Sequence, residues 1–230
     1  MNVDKIINQI FKTVFDINPS LTKEEVLKDF AFDVKLPQKV YDSTTNEETW
    51  AISVNPTKFI TNDNQDKIGN EKGWMLEKKN VSSLEEILEI WKSINYTTTE
   101  RVYNSINVLE SDTVYNSENV FRSSNLSGCK NAIYSDGTQN SEYIIASSRS
   151  NHLAYCIRVD DSTNCTNSYN VICSGKITNS MFIQNCSNLY ECIFCSHIAN
   201  KRYCIANMQF EKEEYYFLKK EITKWILEKK

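Results

Sequence analysis

The sequence predicts a mainly β fold in which short parallel strands stack, with an α+β region before the stack and a helix after it. A 12-residue repeat runs from about residue 105 to residue 207. Each unit combines large apolar residues with Asn, Ser, Asp and Gly, a mixture typical of short strands joined by turns. Apolar residues at helical spacing lie on both sides of the repeat.

Composition and charge exclude several classes of protein. The chain has 230 residues, of which 40% are hydrophobic and 11% aromatic, so it can bury a core. Its 26 basic and 30 acidic residues give a net charge of −4, which provides no global attraction to nucleic acid or to an anionic membrane. No apolar run is long enough to span a bilayer. The N-terminal residues lack the basic and apolar regions of a signal peptide, so we expect a cytoplasmic or virion protein that is not secreted by a signal peptide.

We expect residues 1–95 to form a mixed α+β N-terminal domain. Apolar residues from Val3 to Phe15 recur at helical spacing, which favours an amphipathic helix docked on a core. Thr22 is followed three residues later by Glu25, a capping-box spacing that predicts a second short helix.

A third helix is predicted just before the repeat. Ser82 and Glu85 form another capping box, and the helical pattern continues through Ile94. Two β-like runs, residues 49–54 and 58–61, lie in the preceding stretch. The sequence predicts no topology for that stretch.

Columns of similar residues appear when every twelfth position of the repeat is compared. One column is large and apolar throughout: Leu109, Phe121, Ile133, Ile145, Ile157, Tyr169, Met181, Ile193 and Ile205. The preceding column is mostly small or β-branched: Val108, Val120, Ala132, Ile144, Cys156, Ser168, Ser180, Cys192 and Cys204. The column two places after the large residue is Ser111, Ser123, Ser135, Ser147, Val159, Val171, Ile183, Cys195 and Asn207. We expect the large column and the column two places after it to point into the core.

A 12-residue unit is too short for a pair of helices and suits a short strand with a turn. In this register the sequence resembles parallel β-helix repeat proteins, also called β-solenoids, over roughly residues 100–210. The resemblance concerns architecture and implies no catalytic signature. It implies parallel coils about 4.8 Å apart. We therefore expect β-helix repeats over residues 96–210, followed by a C-terminal capping helix over residues 211–230.

One full coil consists of either a single 12-residue unit or two units. A 24-residue coil would give the large column a wide core and would stack alternate Asn residues into an amide ladder. Those residues are Asn116, Asn140, Asn164 and Asn188. The same coil would also stack Asp112, Asp136 and Asp160, whose charges repel one another. A 12-residue coil separates these charges but leaves a narrow interior, so we favour the 24-residue coil.

The chain ends in an amphipathic helix. Its apolar face consists of Tyr215, Leu218, Ile222, Trp225 and Ile226. An acidic first turn and the Lys229–Lys230 end suit the helix dipole. We expect this helix to cover the last coil and the helix that follows Ser82 to cover the first, since both ends of a solenoid carry unpaired strand edges.

The eight cysteines all lie in the second half of the chain, and in a reducing compartment they would be apolar core residues. The densest metal-like cluster is Cys186, Cys192, Cys195, His197 and Cys204. It contains a single Cys-x-x-Cys pair, whereas a structural zinc site needs four ligands. Other units place Ala, Val, Ser or Ile in the columns of Cys192, Cys195 and Cys204. We therefore predict no metal and no cofactor, and leave open whether these three thiols are free, bridged or metal-bound.

A nucleophilic cysteine would need His152 or His197 as its base, since the chain has no other histidine. His197 is two residues from Cys195, so both side chains would point the same way in an extended strand. No orienting acid accompanies them. We interpret His197 as a corner residue beside a buried thiol and predict no catalytic residue.

Carboxylates offer a sharper enzymatic hypothesis, because parallel β-helices often carry glycan-cleaving sites that need an acid together with a base or nucleophile. The candidates for one groove are Asp112, Asp136, Asp160 and Asp161, with Arg122, Arg149 and Arg158 nearby. Asp is also a common turn residue, and repetition alone produces an evenly spaced row.

The expected function is non-enzymatic: a structural or assembly protein that presents a rigid β-helix surface to protein partners, including further copies of itself. A phage virion component is the specific hypothesis, because stiff β-helices recur in virus particles and a Lys-, Ile- and Asn-rich chain suits an AT-rich genome. The alternative is a carbohydrate-binding or glycan-cleaving β-helix protein.

Overall fold

The structure is a computed structural model that describes residues 1–17, 20–54, 58–69 and 71–228. The elements before the repeat are α1 (Val3–Phe15), α2 (Lys23–Phe30), β1 (Gln38–Tyr41), β2 (Glu48–Ala51), β3 (Lys58–Thr61), α3 (Asn62–Ile68), α4 (Glu71–Trp74), α5 (Leu84–Ile94) and β4 (Tyr96–Thr99). β1 and β2 form an antiparallel hairpin, and β3 pairs in parallel with β4.

The predicted helix starts are confirmed, with one shift. At α2 the Thr22 side chain accepts a hydrogen bond from the Glu25 backbone, and the Glu25 carboxylate accepts one from the Thr22 backbone. At α5 the capping residue is Ser83, which accepts from the backbone of Glu86. Two adjacent Ser residues precede two adjacent Glu residues at this site, so the spacing alone fits either pair.

The repeat and the C-terminal region contain β5 (Val102–Tyr103), β6 (Ile106–Leu109), β7 (Asp112–Tyr115), β8 (Glu118–Phe121), β9 (Ser124–Ser127), β10 (Lys130–Ile133), β11 (Glu142–Ile145), β12 (Ala154–Asp160), β13 (Thr163–Ile172), β14 (Gly175–Thr178), β15 (Met181–Gln184), β16 (Ser187–Ser196), β17 (Ala199–Ile205), β18 (Met208–Gln209) and α6 (Lys212–Glu228). The strands from β5 to β17 stack in parallel and form a β-solenoid of about nine turns. The predicted architecture is therefore confirmed.

Each coil consists of a single 12-residue unit, so the predicted 24-residue coil is wrong. Ala132 pairs with Val120 in the preceding unit and with Ile144 in the following one. The same step of one unit still holds at the last parallel pair, where Cys192 pairs with Cys204. The preference for the longer coil rests on a wide interior for the large apolar column, but that column lies outside the coil.

A backbone bend at every third residue closes this short coil. From Asn104 to Ala206 every third residue has a positive φ, between 44° and 65°. The residue after each bend points inward and the next one points outward. Asn fills these positions more often than any other residue, since its short polar side chain tolerates the left-handed conformation. This explains how a chain with only 5 Gly forms so many bends.

Two apolar cores follow from this geometry. The interior of the coils is lined by Val114, Val120, Leu126, Cys129, Ala132, Ile144, Leu153, Cys156, Val159, Cys165, Val171, Ile177, Ile183, Cys186, Leu189, Cys192, Cys195 and Cys204. From Phe121 onward the large column instead belongs to a second core on one outer face, which also contains residues of α1, α2 and α6, whereas Leu109 is exposed. The prediction that the large column points inward is therefore wrong, because a bend separates it from the inward column two places later. The inward assignment of that later column is confirmed.

Serine side chains satisfy the backbone inside the narrow coil. The Ser123 Oγ accepts a hydrogen bond from the Ser135 backbone at 3.0 Å, and the Ser135 Oγ accepts from the Ser147 backbone at 3.2 Å. Each hydroxyl also donates to the carbonyl two residues earlier, as from Ser135 to Ile133 at 3.1 Å. Buried backbone groups at this corner are thereby paired.

The N-terminal helices cover the outer core. α1 packs across β10 to β13, and Phe15 contacts the Tyr169 ring with the ring centroids 5.2 Å apart. Tyr134 donates a hydrogen bond to the Lys23 carbonyl at 3.0 Å. The predicted docking of the first helix on a core is confirmed. The domain boundaries at residues 95 and 210 stay a prediction.

The C-terminal helix α6 is confirmed and packs on the side of the last coils. The Trp225 ring lies 6.1 Å from Phe182 and 6.3 Å from Phe194, and Tyr215 lies 5.5 Å from Tyr203. At the end of the stack, β18 turns back and pairs antiparallel with β17. The predicted Lys229–Lys230 end lies outside the described residues. None of the described helices is long and apolar enough to cross a membrane.

Candidate functional site

The four cysteines of the predicted metal-like cluster all line the coil interior, whereas its histidine lies outside. Cys192 and Cys204 are register partners on β16 and β17, and Cys195 occupies the next inward position of the same coil. All three are free thiols. His197 lies outside and contacts Ser196 and Asn185, so no ligand set forms with the thiols. Within the described residues, no group of three or more His, Cys, Asp or Glu side chains could hold a metal ion.

The buried thiols are poorly placed for nucleophilic chemistry. A hydrogen bond from Cys192 lowers the pKa of Cys195, but Cys195 lies in the closed coil interior, where no substrate reaches it. Other thiols have the opposite shift. Burial raises the pKa of Cys165 to about 11 and also raises the pKa of Cys129. A thiol with a raised pKa carries little thiolate at neutral pH. The expectation that Cys195 and His197 point the same way is wrong, because Cys195 points inward and His197 is itself a bend residue with a φ of 58°.

The predicted row of carboxylates is divided by serines. In the 12-residue coil Ser124 lies between Asp112 and Asp136, and Ser148 lies between Asp136 and Asp160. The Ser124 hydroxyl donates to the Asp136 carboxylate at 2.7 Å. The row therefore avoids the like-charge repulsion that a 24-residue coil would have imposed.

Asp112 joins the first coil to the N-terminal region. The Arg101 guanidinium donates to both of its carboxylate oxygens, at 3.0 and 2.7 Å, and the Ile52 backbone donates at 3.3 Å. The carboxylate is almost completely buried. A bidentate ion pair of this kind holds the two segments together and occupies both carboxylate oxygens of Asp112.

Asp160 lies at a small cavity on the side of the coils. The cavity, about 120 Å³, is lined by Asp33, Arg149, Arg158, Asp160 and other residues. Burial raises the pKa of Asp160, and the paired Arg149 guanidinium partly offsets this effect. Arg158 donates to both carboxylate oxygens of Asp33 at 2.8 and 2.6 Å, and this contact lowers the pKa of Asp33. The cavity would admit a few water molecules but not a sugar ring.

The remaining candidates are dispersed. Arg122 lies over the Trp50 ring at 5.2 Å, and Asp161 is an exposed bend residue. His152 contacts Asn151 on the opposite side from the outer core. The structure thus brings Asp160, Arg149 and Arg158 together at one cavity. Asp112, Asp136 and Arg122 lie elsewhere, and each contacts a different neighbour.

One side of the solenoid, opposite the outer core, forms a flat polar surface that we call the polar flank. Its outward residues are Ser127, Gln139, Asn151, Thr163, Gly175, Ser187 and Ala199. Amide ladders stabilise the coils at neighbouring corners, for example between Asn188 and Asn200 at 2.7 Å. The ladders therefore join adjacent units instead of the alternate units that the longer coil predicted. Tyr103 and Tyr115 stack at one end of this flank with ring centroids 5.4 Å apart.

A second cavity, about 580 Å³, lies beside the open first coil. It is lined by the inward residues Val102, Ser105 and Val108 together with acidic residues that include Glu47 and Glu100. Burial raises the pKa of Glu100. The helix α3 lines the opposite wall through Asn62, Asn64 and Lys67.

The helix α5 is the most unusual feature of the surface. The prediction that it covers the first coil is wrong, because none of its residues is buried. Its apolar stripe of Leu84, Ile87, Leu88 and Trp91 is between 45% and 63% exposed. A helix of 11 residues is marginal in water when nothing packs against it, so an uncovered stripe of this size is typical of an interaction surface.

A second exposed apolar feature lies between the end of α1 and α6, and we call it the α1–α6 groove. Its volume is about 510 Å³, and its walls include Phe15, Ile17 and Phe217. Phe217 is 69% exposed and Ile17 is 41% exposed. Lys219, which is half-buried, the exposed Lys220 and Asp16 also line it.

Sequence reasoning found α5 as a helix but missed its exposure, and it missed the groove. The amphipathic pattern of α5 is visible in the sequence, yet the pattern does not show which surface covers the stripe. The groove joins residues about 200 positions apart along the chain, and no local pattern connects them. No family model, curated protein or solved structure matches this chain in the three comparisons with known proteins.

Proposed function

We propose that this chain is a non-enzymatic assembly protein, a rigid solenoid that holds α5 in position for contact with another protein chain. The observation that carries the proposal is the uncovered apolar stripe of α5. Exposing this stripe costs free energy that a partner would recover, at roughly 25 cal/mol for each Å² of apolar surface buried.

The rigidity of the support favours the same function. α5 continues through Asn95 into β4, which pairs in register with β3. The Arg101–Asp112 ion pair then fixes the following segment to the first coil. A helix anchored in this way keeps its orientation, so less conformational entropy is lost on binding.

The specific form of the proposal is a subunit of a phage particle. Stacked coils resist bending because every coil is bonded to its neighbours along its length, and stiff subunits suit a particle shell or fibre. The Lys-, Ile- and Asn-rich composition supports an AT-rich source.

Light scattering on the purified full chain tests the assembly function. We expect a mass well above that of one chain, together with no cleavage of polysaccharide substrates. A monomer at the highest soluble concentration would overturn the proposal. Cleavage of a polymer by the wild type that disappears in Asp136→Ala would also overturn it and would select the glycan-cleaving alternative.

A carbohydrate-binding function is the second candidate, and the polar flank favours it. Its outward residues are uncharged and most of them are small, and the Tyr103–Tyr115 stack provides an aromatic platform at one end. Amide and hydroxyl groups beside an aromatic face suit the polar edge and apolar face of a sugar ring. Binding to a glycan array that Tyr115→Ala abolishes, while α5 variants leave it unchanged, would support this candidate over assembly.

A further inference from the structure

The stripe of α5 and the α1–α6 groove have complementary chemistry. Both surfaces are apolar at the centre, and both are exposed in the single chain. Glu85 and Glu89 border the stripe, and Lys219 and Lys220 border the groove. Asp16 also lies at the groove and Lys92 pairs with Glu89, so the net charges are small but of opposite sign.

The groove has room for part of the stripe. Its volume of about 510 Å³ compares with the roughly 150 Å³ of a cavity that holds one benzene ring. The Trp91 side chain and one neighbouring Leu would therefore fit between Ile17 and Phe217. Helix-in-groove binding uses the same i, i+3, i+4, i+7 spacing that Leu84, Ile87, Leu88 and Trp91 have.

α5 cannot reach the groove of its own chain. The groove is formed by α1 and α6. Its residue Phe15 contacts Tyr169, which lies five coils after Leu109. The helix α6 contacts Tyr203, which lies eight coils after Asn107. At ~4.8 Å for each coil the two walls of the groove therefore lie about 24 and 38 Å along the stack from the first coil. α5 has 11 residues and is therefore only about 16 Å long, and its C-terminal end is fixed to β4.

We propose, on the basis of the assembly function above, that α5 of one chain docks in the α1–α6 groove of a second copy. Each copy then presents an arm near one end and a groove near the other. Because the two surfaces differ, the contact is heterologous and generates a ring or an open filament. The solenoid sets the spacing between the two surfaces.

Charge reversal with rescue tests this contact. One variant carries Glu85→Lys and Glu89→Lys in the arm, and the other carries Lys219→Glu and Lys220→Glu at the groove. We expect each variant alone to fall to the monomer mass by light scattering, because like charges then face each other. Mixing the two variants should restore assembly, since each arm then meets a groove of opposite charge in the other chain.

Truncating the apolar centre provides an independent measurement. Trp91→Ser and Phe217→Ser should each weaken self-association at least tenfold in sedimentation equilibrium. Phe32→Ser is the matched control, because Phe32 is 69% exposed but lies outside both surfaces, and it should leave the association unchanged. Circular dichroism checks that every variant keeps the wild-type strand content.

The outcomes separate this inference from the assembly function. If the wild type assembles and the arm and groove variants assemble equally well, the arm–groove contact is wrong while the assembly function stands. If arm variants lose assembly but groove variants do not, α5 binds a different surface and the inference is again overturned. If the wild type is monomeric, both proposals fail.

Discussion

The solenoid and the α+β region before it are held together by different kinds of contact. In the solenoid many contacts recur from unit to unit. The inward columns pack in coil after coil, and the serine corner repeats its hydrogen bonds from Ser111 to Ser147. Residues 38–99 depend instead on single contacts, above all those of the buried Asp42. The difference teaches that repetition leaves a pattern in the sequence, whereas a contact made once does not.

Asp42 shows how much one residue can connect. Its carboxylate accepts hydrogen bonds from the Thr44 backbone at 2.7 Å, the Thr61 backbone at 2.7 Å and the Asn64 side chain at 2.9 Å. These bonds join the β1–β2 turn to β3 and α3. Burial alone would raise the pKa of Asp42, but the hydrogen bonds outweigh burial and lower it far below its usual range.

The largest expected effect is that of a charge inside the solenoid. Ile144 is completely buried in the coil interior, among apolar side chains that cannot solvate a carboxylate. We expect Ile144→Asp to cost more than about 4 kcal/mol and to abolish the folded array, since an unpaired buried charge is among the most destabilising changes. Loss of the strand signal in circular dichroism and of the cooperative urea transition would verify this.

Ile157→Asp is the matched variant in the outer core. Ile157 is equally buried, but it lies in the outer core, where α1 packs across its strand β12. We expect the helices to detach while the strands remain stacked, so limited proteolysis should cleave within residues 1–36 although the strand signal persists. If Ile144→Asp and Ile157→Asp gave identical unfolding, the separation into two cores would be wrong.

Asp42→Asn should have a smaller effect on the free energy of unfolding, and this effect should be confined to the α+β region. Because the pKa of Asp42 is lower in the folded than in the unfolded chain, its stabilisation is present above the unfolded pKa of about 3.9 and is lost as the pH falls below it. At pH 7 the substitution should therefore cost roughly 2–3 kcal/mol, and at pH 2 much less. Hydrogen exchange of residues 38–61 measures this locally, and the amides of residues 130–193 provide the internal control.

The sequence predicted the solenoid because its contacts recur, but it did not predict which columns point inward. The interpretation assumes strand alternation, in which Leu109 and Ser111 share a face. A bend at Glu110 places them on different faces. The missed signal was a shorter period of three within each unit, since small or aliphatic residues recur at every third position from Ser111 to Cys195.

The candidate surfaces were less predictable than the fold. Capping residues and periodicity determine that α5 forms a helix, because both act within a few residues along the chain. Exposure of its stripe depends on what other segments leave uncovered. The α1–α6 groove depends on where two distant helices end, and neither end has a signature in the sequence.

Ser135→Ala should have a moderate effect within the solenoid. The Ser135 hydroxyl accepts from the Ser147 backbone and donates to the Ile133 carbonyl, and all three residues are buried. Its removal leaves a buried backbone N–H without a partner, which costs about 1–3 kcal/mol. Urea unfolding gives the value, and a change below about 0.5 kcal/mol would show that the serine corner contributes only by its small volume.

The smallest effects are expected from substitutions of Asn, which distinguish its role at the backbone bends from its role in the amide ladders. Asn119 is a bend residue with a φ of 56°, and its side chain also bonds Asn131 at 3.0 Å. Asn119→Ala should cost roughly 1–2 kcal/mol, because alanine is strained in the left-handed region.

Asn151 is exposed and does not lie at a bend, so Asn151→Ala should cost only a few tenths of a kcal/mol. Asn119→Gly removes the side-chain amide but keeps the bend. If this variant has the free energy of unfolding of the wild type, Asn contributes through its backbone conformation. If it loses as much stability as Asn119→Ala, Asn contributes through the amide ladder.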